Sequence, residues 1–205
     1  MARPNIPRGG FRYVGSIFAE NDTPRLLPCQ VATNYGTALF KGDPVARALD
    51  GSITQAAAAA NIFGIVAGVK YRNADGQLVE KDYLPANTTY STDQFRSIVY
   101  VIPATPFTIF EIDANDGTSI TTVAAARALP WENCDHVFTT AGNTATGMSG
   151  VQLNISTHNT TALQWRIVDI SPYASGNDVT QIAAKYWVIC NKTNNWPGVF
   201  STTGI

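Results

Sequence analysis

Turn signals recur at short intervals through the middle of this chain and limit what it can fold into. Lys41-Gly42-Asp43, Asp50-Gly51, Asn73-Ala74-Asp75-Gly76 and the stretch 113–117 collect residues that accept left-handed backbone or bond their own main chain. The runs between them are short and rich in β-branched and aromatic side chains. Asp50-Gly51 predicts a hairpin between strands at 44–49 and 52–56. Lys41-Gly42-Asp43 reads likewise as the turn between 37–40 and 44–49. An apolar strand at 62–71 then passes through the turn at 73–76 into 77–81. Within that strand, Gly64 and Gly68 mark bulges or a close backbone approach. Further strands are expected at 96–102 and 107–112, bounded by Pro103 and Pro106. Short strands at such spacing make an all-β, mainly antiparallel fold, a barrel or a sandwich.

The last third returns to strands at 150–156, 161–170 and 185–191. Leu163, Trp165, Ile167 and Asp169 share one face, and Gln164, Arg166 and Val168 the other. Trp165 and Trp187, in patterned strands, are assigned to the core. Trp131 and Trp196 stand beside prolines in irregular segments and remain candidates for an exposed sugar-binding platform. Residues 56–60 favour helix but are too few to nucleate one. Residues 122–129 are the better helix, with Thr121 as a cap and Pro130 as the stop. At most one or two short helices are expected.

Residues 1–35 read differently. Pro4, Pro7, Pro24 and Pro28 remove backbone donors, and Gly9-Gly10 loosens the chain between them. Yet Phe11, Tyr13, Val14, Ile17 and Phe18 make the segment more apolar than a disordered tail. It is read as an extended arm lying over adjacent subunits, the alternative being that it folds back to cover its own barrel. There Arg3, Arg8 and Arg12 fork onto carboxylates while Phe11, Tyr13 and Phe18 anchor in apolar grooves. At the other end Trp196 and Phe200 need cover, from this chain's own core or from a neighbour. The remainder, 36–205, is the β domain, with two β regions at about 36–118 and 119–205 as an option.

Composition narrows the function classes. The chain has 205 residues, enough to bury roughly 70% of its extended surface without disulfides or metal. Charged residues make up 14%, against about 25% in an average soluble domain. Neutral short side chains take their place, and they cost little to desolvate at an interface. Net charge is −1, and no run of Lys or Arg occurs, so direct nucleic-acid packaging is not expected. The first ten residues lack the apolar core of a secretory signal. The apolar stretch 56–69 is too short and interrupted to span a bilayer, so no membrane partner is expected. Cys29, Cys134 and Cys190 are odd in number and widely spaced, the pattern of free thiols rather than of a disulfide framework or zinc site.

Candidate chemistry is sparse. Cys134-Asp135-His136 sets a thiol and an imidazole on one face of a strand, but no second ligand pair stands near in sequence. Gly147-Met148-Ser149-Gly150 is one residue short of a nucleophile elbow and lacks its strand–helix context. The stretch 113–117 has no downstream Glu at EF-hand spacing. No enzyme activity and no cofactor are expected.

Three segments in the middle of the chain, and one near its end, carry a resemblance. Ala38-Leu39-Phe40-Lys41-Gly42-Asp43-Pro44-Val45, Asp50-Gly51-Ser52-Ile53 and Ile62-Phe63-Gly64-Ile65-Val66 resemble a pattern in tailed-bacteriophage virion proteins, where they open a small β-barrel. Lys185-Tyr186-Trp187-Val188-Ile189-Cys190-Asn191 is similar to a terminal strand of phage structural proteins. The resemblance covers about 36–70. It implies a capsid decoration, or cement, protein made in the bacterial cytoplasm and bound to the head exterior. Its partners would be the major capsid protein and itself, as a homo-oligomer with a trimer favoured over a dimer. The alternatives are another virion structural protein (tail, neck or head fibre) or a carbohydrate-binding β module.

Overall fold

The structure, a computed structural model, describes residues 5, 9–20, 23–90, 98–115, 120–172 and 176–193. Arg3, Arg8, Trp196 and Phe200 lie outside the described residues.

The chain enters with β1 (Arg12–Ser16) and β2 (Ala19–Glu20), a hairpin turned at Ile17-Phe18, and then forms β3 (Leu27–Gln30). The middle supplies β4 (Leu39–Phe40), β5 (Pro44–Arg47), β6 (Ile53–Gln55), β7 (Gly64–Arg72), β8 (Leu78–Lys81), β9 (Tyr83–Leu84) and β10 (Ile98–Pro103). After β11 (Thr108–Asp113) come α1 (Val123–Arg127), β12 (Asn133–Phe138), β13 (Val151–Asn159), β14 (Trp165–Ile170) and β15 (Lys185–Cys190). These build a seven-stranded sheet in the order β13-β12-β14-β15-β11-β1-β2 and a six-stranded one in which β3-β10-β7-β5-β6 is joined by β8 on β7. A two-stranded sheet, β4-β9, completes the set. All named pairings are antiparallel, and the sheets pack as a sandwich.

The local turns fall where the turn chemistry puts them. Asp50-Gly51 closes β5 onto β6, with Gly51 N–H bonded to Ala48 C=O. Asn73–Gly76 closes β7 onto β8, and the Asn73 side chain accepts from Gln77 N–H at 2.8 Å. Gly64 sits where a Cβ would come within 2.3 Å of Val101 Cγ1 and 2.4 Å of Ile102 O. Gly68 faces open space instead, opposite Tyr100 beside a bulge that leaves Ala67 unpaired between Gly68 and Val66. Helix α1 starts one residue later than expected. Its cap is Thr122, whose hydroxyl accepts from Ala125 N–H at 3.1 Å. Residues 56–60 form a turn.

Five expectations need correction. Lys41-Gly42-Asp43 is a corner between sheets, not a hairpin turn, because β4 pairs with β9 while β5 pairs with β6 and β7. The strands do not divide near 118: β11 already belongs to the larger sheet, and β1 and β2 join it from the N-terminus. Trp187 is half-buried, since in β15 it is Tyr186, Val188 and Cys190 that turn to the core. In β14 the register slips between Ile167 and Asp169, which leaves Asp169 exposed and Ile170 packed against the core.

The fifth correction is the arm. Residues 11–20 are not draped over a neighbour; β1 pairs with β11 of its own sheet. Phe11 is buried, its ring 4.2 Å from that of Trp165, centroid to centroid. Tyr13 packs edge-on against Phe110. β3 pairs with β10 at the margin of the smaller sheet, an edge position, where proline is tolerated within a sheet.

The core has two centres. One holds Phe110, Ile112, Leu153, Trp165, Ile167 and Tyr186 of the larger sheet with Phe11 just before β1, Ile65 of the smaller sheet and Ile62 just before β7. The other joins Val45, Ile53, Val66, Val69, Val99 and Val101 of the smaller sheet to Leu39 and Leu84 of the two-stranded one.

Candidate functional site

What the N-terminal segment presents depends on how it is held. Gly42, at φ 92°, lies so close to Gly10 that a Cβ on it would stand 2.9 Å from the Gly10 Cα. Phe11 N–H bonds Gly42 C=O at 3.0 Å, and Gly10 N–H bonds Val151 C=O at 3.2 Å. Beneath them Asp43 is buried; its carboxylate accepts from Phe40 N–H, the Gln55 amide and the Ser149 hydroxyl. Burial pushes this carboxyl above its ordinary pKa, against the downward pull of those three donors.

A charge network fixes the next residues. Arg12 Nη2 lies 2.7 Å from Glu111 Oε1 and 3.6 Å from Asp113 Oδ1. Lys185 Nζ is 3.7 Å from that same Asp113 oxygen, and the Ser171 hydroxyl donates to Glu111. Two cations and two carboxylates balance, three of the four buried, an arrangement that costs several kcal/mol when one partner is removed. Arg12 therefore meets two carboxylates of its own chain through one guanidinium nitrogen.

With β1 held this way, the β1–β2 turn projects. Phe18 is 77% exposed and Ile17 50%. Phe18 leans on Phe107, ring centroids 4.9 Å apart at 47°, and Ile17 N–H bonds Phe107 C=O at 3.0 Å. Of the described residues expected to meet a partner, Phe18 is the exposed one, and Ile17 and the half-buried Phe107 adjoin it. Phe107 was missed as a neighbour of Phe18, although Pro106 before it signals the turn at 105–108 on which it sits half-buried.

The titratable pair singled out in the sequence is absorbed by the core. Cys134 and His136 do share a face, and both are buried. His136 Nε2 donates to Ala56 C=O at 2.9 Å, and Nδ1 accepts from Trp165 Nε1–H at 3.3 Å, so the network fits the neutral ring. Burial holds its pKa below the ordinary value, more strongly than the Ala56 bond and the nearby Asp135 raise it. The thiols of Cys134 and Cys190 are buried and pushed far up for the same reason, and Cys29 is raised less. Ser149 is spent on Asp43 and on Val151 N–H. Among the described residues no group of three His, Cys, Asp or Glu side chains is placed to hold a metal ion, and no helix is long and apolar enough to cross a membrane.

Trp131, left open by the sequence, is 68% exposed, whereas Trp165 is fully buried. Trp131 occupies a left-handed backbone position, φ 72°, in the reverse turn that follows α1.

Fold and site together define an antiparallel β-sandwich that exposes Ile17, Phe18 and Trp131 on turns. Comparison with family models, curated proteins and solved structures finds no match to the chain.

Proposed function

We propose that this chain is a structural protein of a tailed-phage virion, a cement protein that binds the outside of the head and bridges major capsid subunits. The observation that carries the reading is the Ile17–Phe18 turn, an apolar tip on a hairpin anchored by a buried charge network. An anchored aromatic at a turn is the kind of side chain that fills a pocket on a partner. The three segments that resemble phage virion proteins support it; they form the β4 to β7 block around the Asp43 corner. Low charge supports it too, because neutral β surfaces lose little on being covered.

The mechanism is linkage. A protein that binds the assembled, expanded lattice and not its free subunits stabilises the lattice in proportion to its binding free energy. Self-association as a trimer would multiply such contacts at a threefold site. Co-sedimentation with purified expanded heads, followed by reconstruction of the decorated particle, tests the reading. Saturable binding at sites between capsid subunits supports it. Density on the tail, neck or a fibre would move the protein within the virion, and no binding to any particle would end the proposal.

A further inference from the structure

We propose that Lys185 and Asp113 form an intramolecular amide, a covalent cross-link between β15 and β11 of the larger sheet. The proposal stands apart from where the protein sits on a virion. β11 and β15 are antiparallel neighbours, and their register sets Asp113 directly opposite Lys185. Side chains so opposed leave the sheet on the same face, with Cβ atoms about 4.5–5.5 Å apart. Phe110, Ile112, Tyr186 and Val188 take the core face, so Glu111, Asp113 and Lys185 take the other. That face is covered here: all three are buried, and among the described residues Lys185 is the only buried lysine. A lysine ordinarily carries its ammonium out to water. This one keeps Nζ at 3.7 Å from Asp113 Oδ1 and at 3.4 Å from the Ala183 carbonyl oxygen.

The surroundings supply what amide formation needs. The Asn177 side chain accepts from Lys185 N–H at 2.9 Å and donates to Lys185 C=O at 3.0 Å, and Ser171 N–H bonds the same carbonyl. The lysine backbone is therefore fixed, and its stem turns about that anchor to bring the reacting atoms to the roughly 3–3.5 Å that attack requires. The two Asp113 oxygens stand in different settings. Oδ1 faces the amine and lies 3.6 Å from Arg12 Nη2, which Glu111 holds at 2.7 Å. Oδ2 accepts from Gly9 N–H at 3.1 Å, the placement of an oxyanion donor. A proton passes from the Lys185 ammonium to Asp113 Oδ1, leaving an amine beside a carboxylic acid, forms that a water-poor interior favours over charges. The Nζ lone pair adds to Cγ, and negative charge builds on Oδ2 against Gly9 N–H. A second proton moves from Nζ to Oδ1, the Cγ–Oδ1 bond breaks, and Oδ1 departs as water. Of the three ammonium protons, one stays as the amide N–H and two leave in the water, and nothing is oxidised or reduced. Arg12 and Glu111 remain as a balanced pair. The bond ties β11, on which β1 and its Ile17–Phe18 turn are built, to β15.

Intact-mass spectrometry of the denatured chain tests this, on freshly purified wild type and after prolonged incubation of the folded protein at physiological temperature. The expected mass is lighter by one water than that calculated from the sequence. Digestion should then yield one branched peptide that joins the segment around Asp113 to the segment around Lys185, with no tryptic cut after Lys185. Dehydration of an aspartate onto its own backbone loses the same mass but leaves those two peptides separate. Lys185→Arg keeps the cation and cannot form the bond, so it should show the full calculated mass. The full calculated mass in folded wild type at both times would overturn the proposal. So would a loss of water that persists in Lys185→Arg, two separate peptides in wild type, or a branched peptide joined at Glu111 in place of Asp113.

Discussion

The ring of Phe11 lies 4.2 Å from that of Trp165, centroid to centroid, and 30° from its plane. The contact joins the N-terminal segment to the centre of the larger sheet. The same Trp165 bonds His136, and His136 bonds Ala56 at the start of the turn after β6. One aromatic from the first dozen residues thus helps hold segments from three parts of the chain.

Phe11→Ala should cost about 3–5 kcal/mol, the range for emptying a buried phenylalanine site. In a domain of this size that lowers the melting temperature on the order of 10 °C. Thermal unfolding followed by circular dichroism measures it. A shift within a degree or two would mean that the N-terminal segment is not part of the core, and would return it to the role of an arm.

The two glycines of β7 should separate cleanly. Gly64→Ala drives a methyl into Val101 and the Ile102 carbonyl and should destabilise by about 1–3 kcal/mol or more. Gly68→Ala meets nothing within 4 Å and should stay within about 0.5 kcal/mol of wild type. Urea titration of the two variants decides it; equal losses would contradict the register of β7 against β10.

Much of this architecture is legible in the sequence where the interaction is local. Asp50-Gly51 and Asn73–Gly76 turn as their side chains dictate, because a two- or four-residue turn carries its own instructions. Gly64 was legible for the same reason, as a missing side chain inside an apolar strand. Lys41-Gly42-Asp43 was not, since its role as a corner is set by β9 and by Ser149, more than a hundred residues on. The arm was misread because prolines lower the odds of pairing without forbidding it at an edge or a strand end. Pro28 lies on the edge strand β3, Pro44 begins β5 and Pro103 ends β10. Phe18 was selected as a contact residue and is exposed, but the sequence alone did not show that Phe11 and Tyr13 turn inward beside it.

Stability should fall as the medium is acidified from neutral pH. His136 has a folded pKa below its ordinary 6.5, so between those two values the unfolded chain binds the extra proton. Stability from this residue is complete above about 6.5 and is lost as pH falls towards the folded pKa, at about 1.4 kcal/mol per pH unit once the unfolded ring is protonated and the folded ring is not. Asp43 works the other way: its raised pKa lets the folded state hold a proton above the ordinary 3.8, which favours the fold towards the acid end. The difference between wild type and His136→Gln isolates the imidazole. Urea unfolding at pH 7.5 and pH 5, about one unit above and 1.5 units below the ordinary imidazole value, should show the larger acid loss in wild type. The same slope in both proteins would contradict a buried neutral His136.

The most direct test of the docking account is co-sedimentation of Phe18→Ser with expanded heads. Phe18 is 77% exposed, so the variant should fold with stability within about 0.5 kcal/mol of wild type. If the Ile17–Phe18 tip seats on the capsid, head affinity should fall by about 2 kcal/mol or more, roughly thirty-fold. Unchanged affinity in a folded Phe18→Ser protein would contradict the account.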